Sequence, residues 1–145
     1  MSGRVQRGDQ GILDTSIVIL LAELDSSALP REPLITAVTL AELAVGPLVA
    51  AAEDERARRQ GHLQHAEADF VPLPFDGSAA RAFAQVAASM RASGRKTSAR
   101  TYDAMIAAIA VAEGLPLYTC NPDDFADIHG LEVIYVPVPE VPVPE

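Results

Sequence analysis

The sequence is poor in cysteine, in aromatic rings and in positive charge, and each shortage narrows what the chain can be. Cys120 stands alone, so no internal disulfide can form, and a reducing compartment is the simple inference. Aromatic residues make up only 5% and tryptophan is missing, which leaves few rings on which bare bases could stack. Lys and Arg number 11 against 20 Asp and Glu, and the resulting net charge of -9 argues against broad, non-specific binding to nucleic acid. A nucleic-acid substrate would need a local counterweight, either bound metal or a basic loop. The same surface suits a basic partner. No apolar run approaches the roughly 20 residues needed to span a bilayer. Residues 1–10 lack the apolar core of a secretory signal, so a soluble, cytoplasmic protein is expected. There is no internal repeat.

What remains is globular material: 49% hydrophobic and 21% charged over 145 residues, enough for one domain with its own core. Residues 11–13 give a short apolar strand signal ending on Asp14. An apolar helix is expected from Ser16 through Leu24, capped by Asp14, Thr15 or Ser16. A second strand is expected over 33–38, followed by Thr39 as N-cap of a helix over 40–52, with Glu42 completing a capping box. The charged stretch 53–69 reads as a solvent-washed helix. A third strand over 70–75 carries two prolines, which push it towards a sheet edge. Asp76 or Ser78 caps an alanine-rich helix running to Ser93, stopped by Gly94. The basic loop 95–100 leads to Thr101, expected to cap an apolar helix over 102–113 that Gly114 closes. Strands over 116–120 and 132–136 flank a turn or short helix at 121–126. Residues 1–10 read as a short extension and 137–145 as an extended proline-valine tail, leaving 11–136 as the folded domain.

Strands that alternate with helices imply parallel pairing through right-handed crossovers, with helices on both sheet faces. Ligands of such sheets gather beyond the carboxyl ends of the strands, where strand order reverses. Asp14 follows the first strand directly, Glu42 lies in the helix after the second, and Asn121, Asp123 and Asp124 follow the fourth. Asp103 precedes its strand, so only a particular fold brings it to the same edge. Each acid has a structural explanation as a cap or as a first-turn acid favouring the helix dipole. Taken together they say more, because Glu42 and Asp103 are embedded in strongly apolar helices. Converging carboxylates cannot all stay ionised without a counter-ion. An oxygen-only ligand set points to Mg²⁺ or Mn²⁺, and to in-line hydrolysis of a phosphodiester.

Four stretches carry a family resemblance: 12–16 (Ile-Leu-Asp-Thr-Ser), 39–46 (Thr-Leu-Ala-Glu-Leu-Ala-Val-Gly), 102–108 (Tyr-Asp-Ala-Met-Ile-Ala-Ala) and 117–125 (Leu-Tyr-Thr-Cys-Asn-Pro-Asp-Asp-Phe). In this order and on these elements they resemble the PIN-domain ribonucleases, most closely the VapC-type toxins of bacterial toxin–antitoxin pairs. The resemblance implies a PIN-like three-layer α/β/α fold with a central parallel sheet of four to five strands. It also implies Mg²⁺- or Mn²⁺-dependent cleavage of RNA, often transfer or ribosomal RNA. A VapB-type antitoxin as partner, toxin homodimers and hetero-oligomers with the antitoxin follow from it as well. Asp14, Glu42 and Asp103 take three acidic positions of the family. The fourth falls on Asp124, with Asn121 as a direct or supporting ligand and Asp123 between them; Thr15 and Ser16 support Asp14 or water.

Arg95, Lys96 and Arg100 are candidates to meet an RNA phosphate, and Thr97 or Ser98 to help hold it; a solvated loop is the plain alternative. His62 and His65 lack a third ligand and read as surface residues, and Cys120 reads as a small core residue. The first helix (Ile17, Leu20, Leu21) and the helix around Leu43 and Leu48 offer either core or a partner surface. A haloacid-dehalogenase-type phosphatase needs a second Asp where Ser16 stands, and a receiver needs an acidic pair and a lysine that are missing. The alternatives are a catalytically inactive PIN-like protein-binding module and a metal-dependent phosphatase of another α/β class.

Overall fold

A computed structural model describes residues 9–96 and 100–139. The expectations for residues 1–8, for Thr97 and Ser98, and for the tail from 140 onward lie outside the described residues. Strand β1 (Gln10–Leu13) is followed by helix α1 (Thr15–Leu20), two short 3-10 turns, β2 (Glu32–Leu34) and helix α2 (Ala37–Val49). Helices α3 (Glu53–Asp69), α4 (Gly77–Ala92) and α5 (Thr101–Glu113) come next. Strand β3 (Leu117–Thr119), a 3-10 turn (Pro122–Phe125) and β4 (Val133–Tyr135) complete the order. All pairings in the sheet are parallel and the strand order is β2-β1-β3-β4. The chain leaves β1 to one side and later returns to its other side, so the order reverses between β1 and β3.

Alternation along the strands divides the core between the two faces. Ile12 and Leu117 pack with α4 and α5 on one side, against Val86, Met90, Ile106 and Ile109. Leu13 and Val136 pack on the other side with Ile17, Leu43 and Ala66 from α1, α2 and α3. The alanines of α5 at 104, 107, 108 and 110 are all buried, which lets this helix lie close to its neighbours. The result is the three-layer α/β/α arrangement with a parallel sheet of four strands. No described helix is long and apolar enough to cross a membrane.

Four expectations differ from the structure. The helix expected over 16–24 ends at Leu20 and gives way to a 3-10 turn, with Leu24 extended. Thr101, expected to cap the helix over 102–113, is its first residue, with Arg100 at the cap position. The strand expected over 33–38 stops at Leu34, because Thr36 caps α2 by accepting from Thr39 N at 3.2 Å. Thr39 is therefore inside the helix, not its cap, and Glu42 sits in the second turn, too far along to close a capping box. The strand expected over 70–75 is reduced to a single bridge between Thr36 and Leu73. Pro72 and Pro74 lack the donors that would extend pairing on either side, while Leu73 exchanges both backbone bonds, at 2.8 and 2.9 Å.

Gly11 is required by close packing. A Cβ there would overlap Tyr118 Cε1, stand 2.8 Å from Tyr118 Cδ1 and lie 3.1 Å from Pro30 Cβ. The tyrosine ring would have to swing out, and Pro30 would have to give by a few tenths of an ångström. Gly11→Ala is expected to cost about 1–3 kcal/mol, read as a lower thermal midpoint by several degrees. An unchanged midpoint would show that the ring is free to leave.

Candidate functional site

The register Leu13↔Tyr118 places Asp14 beside Thr119 at the carboxyl edge of the sheet, in the reversal between β1 and β3. Asp14 is only 6% exposed and three donors meet it. Its Oδ1 accepts from Ser16 Oγ at 2.6 Å and from Ile17 N at 3.1 Å, and its Oδ2 accepts from Thr119 Oγ1 at 2.5 Å. The helix-cap reading and the site reading are thus both true of one side chain. A carboxylate has about four acceptor positions, so roughly one remains, on Oδ2. Burial raises the Asp14 pKa; the Ser16, Thr119 and Ile17 bonds oppose this, and the charge of Asp124 adds to it.

Glu42 is half-buried, and its Oε1 accepts from Thr15 Oγ1 at 2.8 Å. Thr15 Oγ1 also lies 3.1 Å from Thr39 Oγ1, so the two threonines brace the acid from α1 and α2. Burial raises the Glu42 pKa, the Thr15 bond lowers it, and the charge of Asp14 raises it further. Thr15 therefore supports Glu42, while Ser16 supports Asp14.

Asp103 reaches this edge because α5 leads to the start of a parallel strand and must run against it, which puts its first turn at the carboxyl ends. Burial pushes its carboxyl up to about 6, helped by the charges of Asp124, Glu42 and Asp14 and opposed by Arg100. Asp103 feels all three other acids, and this is the electrostatic signature of a shared site.

In the turn after β3, Asp124 is half-buried whereas Asn121 and Asp123 are exposed. Of these three residues, Asp124 is the one whose charge reaches both Asp14 and Asp103. Asn121 N donates to Thr119 Oγ1 at 2.9 Å. Arg100 Nη1 donates to Asp124 Oδ1 at 2.6 Å and stands 3.9 Å from Asp103 Oδ2, a cation between two of the acids. Lys96 is exposed, and Arg95 turns inward to backbone carbonyls of Asp123 and Asp124. Among the described residues, no group of three or more His, Cys, Asp or Glu side chains already has metal-holding geometry. Their donor chemistry is nonetheless that of a hard divalent cation: oxygen ligands only, repelling one another across a half-buried space.

Thr119 and Thr39 were missed by the sequence reading. Both are fully buried, and a buried polar residue at a strand end or inside a helix turn is the signal that points to them. Thr119→Val keeps the shape but leaves Asp14 Oδ2 and the Asn121 amide without their partner. A loss of about 1–3 kcal/mol is expected, measured as a lower urea midpoint with an unchanged slope. Burial also raises the Cys120 thiol pKa, with the Asp14 charge adding to the shift, so the thiol stays protonated. His65 is exposed and His62 half-buried, on a groove between α1 and α3 whose apolar wall includes Val18, Leu21 and Phe70.

Fold and site together define a doubly wound α/β protein with an acid cluster at its switch point. Residues 12–131 match the model of the PIN domain. Ribonuclease VapC5 of Mycobacterium tuberculosis is 42% identical over 132 residues, covering 87% of this chain and 95% of that protein. Ribonuclease VapC1 of Rickettsia felis is 30% identical over 129 residues, covering 86% and 95%. Among solved structures, VapBC-5 of Mycobacterium tuberculosis, a member of the VapBC family of toxin-antitoxin systems, aligns with a TM-score of 0.77 at 42% identity, covering 88% and 99%. VapBC2 of Rickettsia felis bound to a DNA fragment shares the fold, with a TM-score of 0.69 at 21% identity, covering 86% and 96%. The chain belongs to the PIN-domain family, with VapC ribonucleases as its relatives.

Proposed function

We propose that this chain is a metal-dependent endoribonuclease, the toxin of a VapBC-type pair, and that it hydrolyses RNA phosphodiester bonds at the acid cluster. The observation that carries the reading is the convergence of Asp14, Glu42, Asp103 and Asp124, from separate elements, on one half-buried space. Identity of 42% to a protein named as a ribonuclease supports it. Asp14, Asp103 and Asp124 would hold Mg²⁺ or Mn²⁺, with Glu42 and the Asn121 amide oxygen completing the set. When bound, such an ion supplies positive charge to a phosphate and lowers the pKa of a coordinated water.

The chain's own residues supply the rest. Glu42 has Oε1 held by Thr15, which leaves Oε2 to orient a water and take its proton. Thr119 and Ser16 hold the Asp14 side chain in place and leave one acceptor on Oδ2 for the ion. Lys96 is exposed and Arg100 stands beside the acids, placing positive charge for RNA phosphates on a chain of net charge -9. A VapB-type antitoxin is the proposed partner, because the 42%-identical solved structure is of a toxin-antitoxin system. Val45, Leu48 and Val49 on α2, with Ile19 on α1, are exposed apolar side chains that an antitoxin or a second copy of the toxin would cover. Purified chain is expected to cut transfer or ribosomal RNA in Mg²⁺ or Mn²⁺ and to stop in EDTA. Cleavage that survives EDTA, or survives Glu42→Gln, sinks the reading.

A further inference from the structure

Asp124 stands on a short turn between β3 and β4. Its turn is four residues of 3-10 helix, with backbone bonds from Asp124 N to Asn121 O at 3.1 Å and from Ala126 N to Asp123 O at 3.4 Å. Asn121 adds no side-chain cap. The ends are pinned, one by the buried Phe125 ring and the other by the Asn121 N bond to Thr119 Oγ1. The middle is held from outside.

Arg95, just past the end of α4, donates through Nη1 to Asp123 O at 3.2 Å and to Asp124 O at 2.8 Å. Those two carbonyls belong to the peptide planes on either side of the Asp124 Cα. Because each plane is rigid, fixing both fixes the backbone angles of Asp124 and the direction of its Cβ. The guanidinium is itself braced. Its Nε donates to Ser93 Oγ at 3.2 Å, and Ser93 Oγ donates to Met90 O at 2.9 Å in the last turn of α4. Its Nη2 is buried with no hydrogen-bond partner among the described residues, so that edge of the group is not offered to solvent. Sequence groups Arg95 with Lys96 and Arg100 as one basic loop, but the geometry separates them. Arg100 bonds the Asp124 carboxylate and Arg95 bonds the backbone that carries it.

We propose that Arg95 is a positioning residue, which aims the Asp124 carboxylate by holding the two peptide planes around its Cα, and that it does not bind RNA. The inference rests on the reading of Asp124 as part of the metal-binding nuclease site. Lysine would keep the charge but offers a compact ammonium in place of a planar group held at several points. Arg95→Lys therefore separates geometry from charge, and Arg95→Met removes both.

Both variants are expected to lower kcat on RNA about tenfold with KM unchanged, and to weaken Mn²⁺ binding about tenfold by electron spin resonance. In EDTA, amide exchange at 124–126 is expected to rise about tenfold while the α5 amides stay protected. Each assay is run well below the variant's own unfolding midpoint. Ser93→Ala, at an exposed helix end, removes the brace on Nε together with the serine's own bond to Met90 O, leaves both Nη1 bonds in place, and should shift the same readouts by less. It keeps the test alive if a substitution at position 95 prevents folding. A raised KM with kcat and Mn²⁺ affinity intact would make Arg95 a phosphate contact and overturn the inference. Full wild-type behaviour of Arg95→Lys would overturn it too, since charge alone would then suffice. A wild-type chain that neither binds Mn²⁺ nor cuts RNA defeats the proposed function itself. One that does both, beside unaltered variants, defeats only the role given to Arg95.

Discussion

Asp14→Asn is expected to lower RNA cleavage by about 10³-fold or more while leaving stability within about 1 kcal/mol of wild type. The amide keeps an oxygen for Ser16 Oγ and Ile17 N, so α1 stays capped. Its nitrogen faces Thr119 Oγ1, which already accepts from Asn121 N and has a second lone pair for the amide once its own proton rotates away. What is lost is the negative charge and the remaining acceptor on Oδ2. Asp14→Ala makes the contrast. It removes the cap and strands the Thr119 hydroxyl, the Ser16 hydroxyl and the Ile17 amide, at a cost of about 2–4 kcal/mol. Cleavage kinetics beside urea unfolding in EDTA separate the two substitutions. Retained cleavage in Asp14→Asn would remove Asp14 from the chemistry.

Asp103→Asn should do the opposite to stability: the metal-free chain becomes firmer as the site is disabled. The Asp103 carboxyl titrates at about 6 in the folded chain, above its ordinary 3.8. Between those values the folded state holds a proton that the unfolded state releases, so stability falls as pH rises through this window and levels off above it. Near pH 4 the wild-type side chain is neutral and resembles asparagine. At neutral pH it carries an unwelcome charge worth on the order of 1–2 kcal/mol, after discounting for its partial exposure. The variant should therefore melt a few degrees higher than wild type in EDTA at pH 7, and level with it near pH 4. The pH slope is reduced and not erased, because Asp14 and Glu42 are shifted in the same direction. Added Mg²⁺ should stabilise wild type more than the variant and narrow the gap. A variant that melts lower than wild type at pH 7 would mean that the four acids do not strain the fold.

The acids and the rhythm of strands and helices were legible because each obeys a local rule. A carboxylate straight after an apolar strand lies at the edge where α/β sheets bind ligands, and the 53–69 helix matched to its ends because its charges leave nothing else to form. The threonines were not legible. Thr36 and Thr39 are both good caps, and the choice between them depended on Leu73, far along the chain, taking the backbone of residues 35 and 37. Thr119 was invisible for a related reason, since its worth comes from a register that puts it beside a residue 105 positions away. The fourth acid sharpened only in space. Asp123 and Asp124 are equivalent as letters, but one faces solvent and the other faces Asp14 and Asp103.

The Asp14 side chain starts α1 through Oδ1 and offers Oδ2 to the site, whereas Asp103 starts nothing. This asymmetry bears on how such a chain falls silent over generations. Under a selection that demands an inactive yet folded protein, position 103 can accept many replacements, because no helix depends on it. Position 14 can accept few beyond asparagine. Silent descendants of this chain should thus keep an amide or acid at position 14 long after position 103 has drifted. The surviving Asp14 would then mark ancestry and folding, not activity.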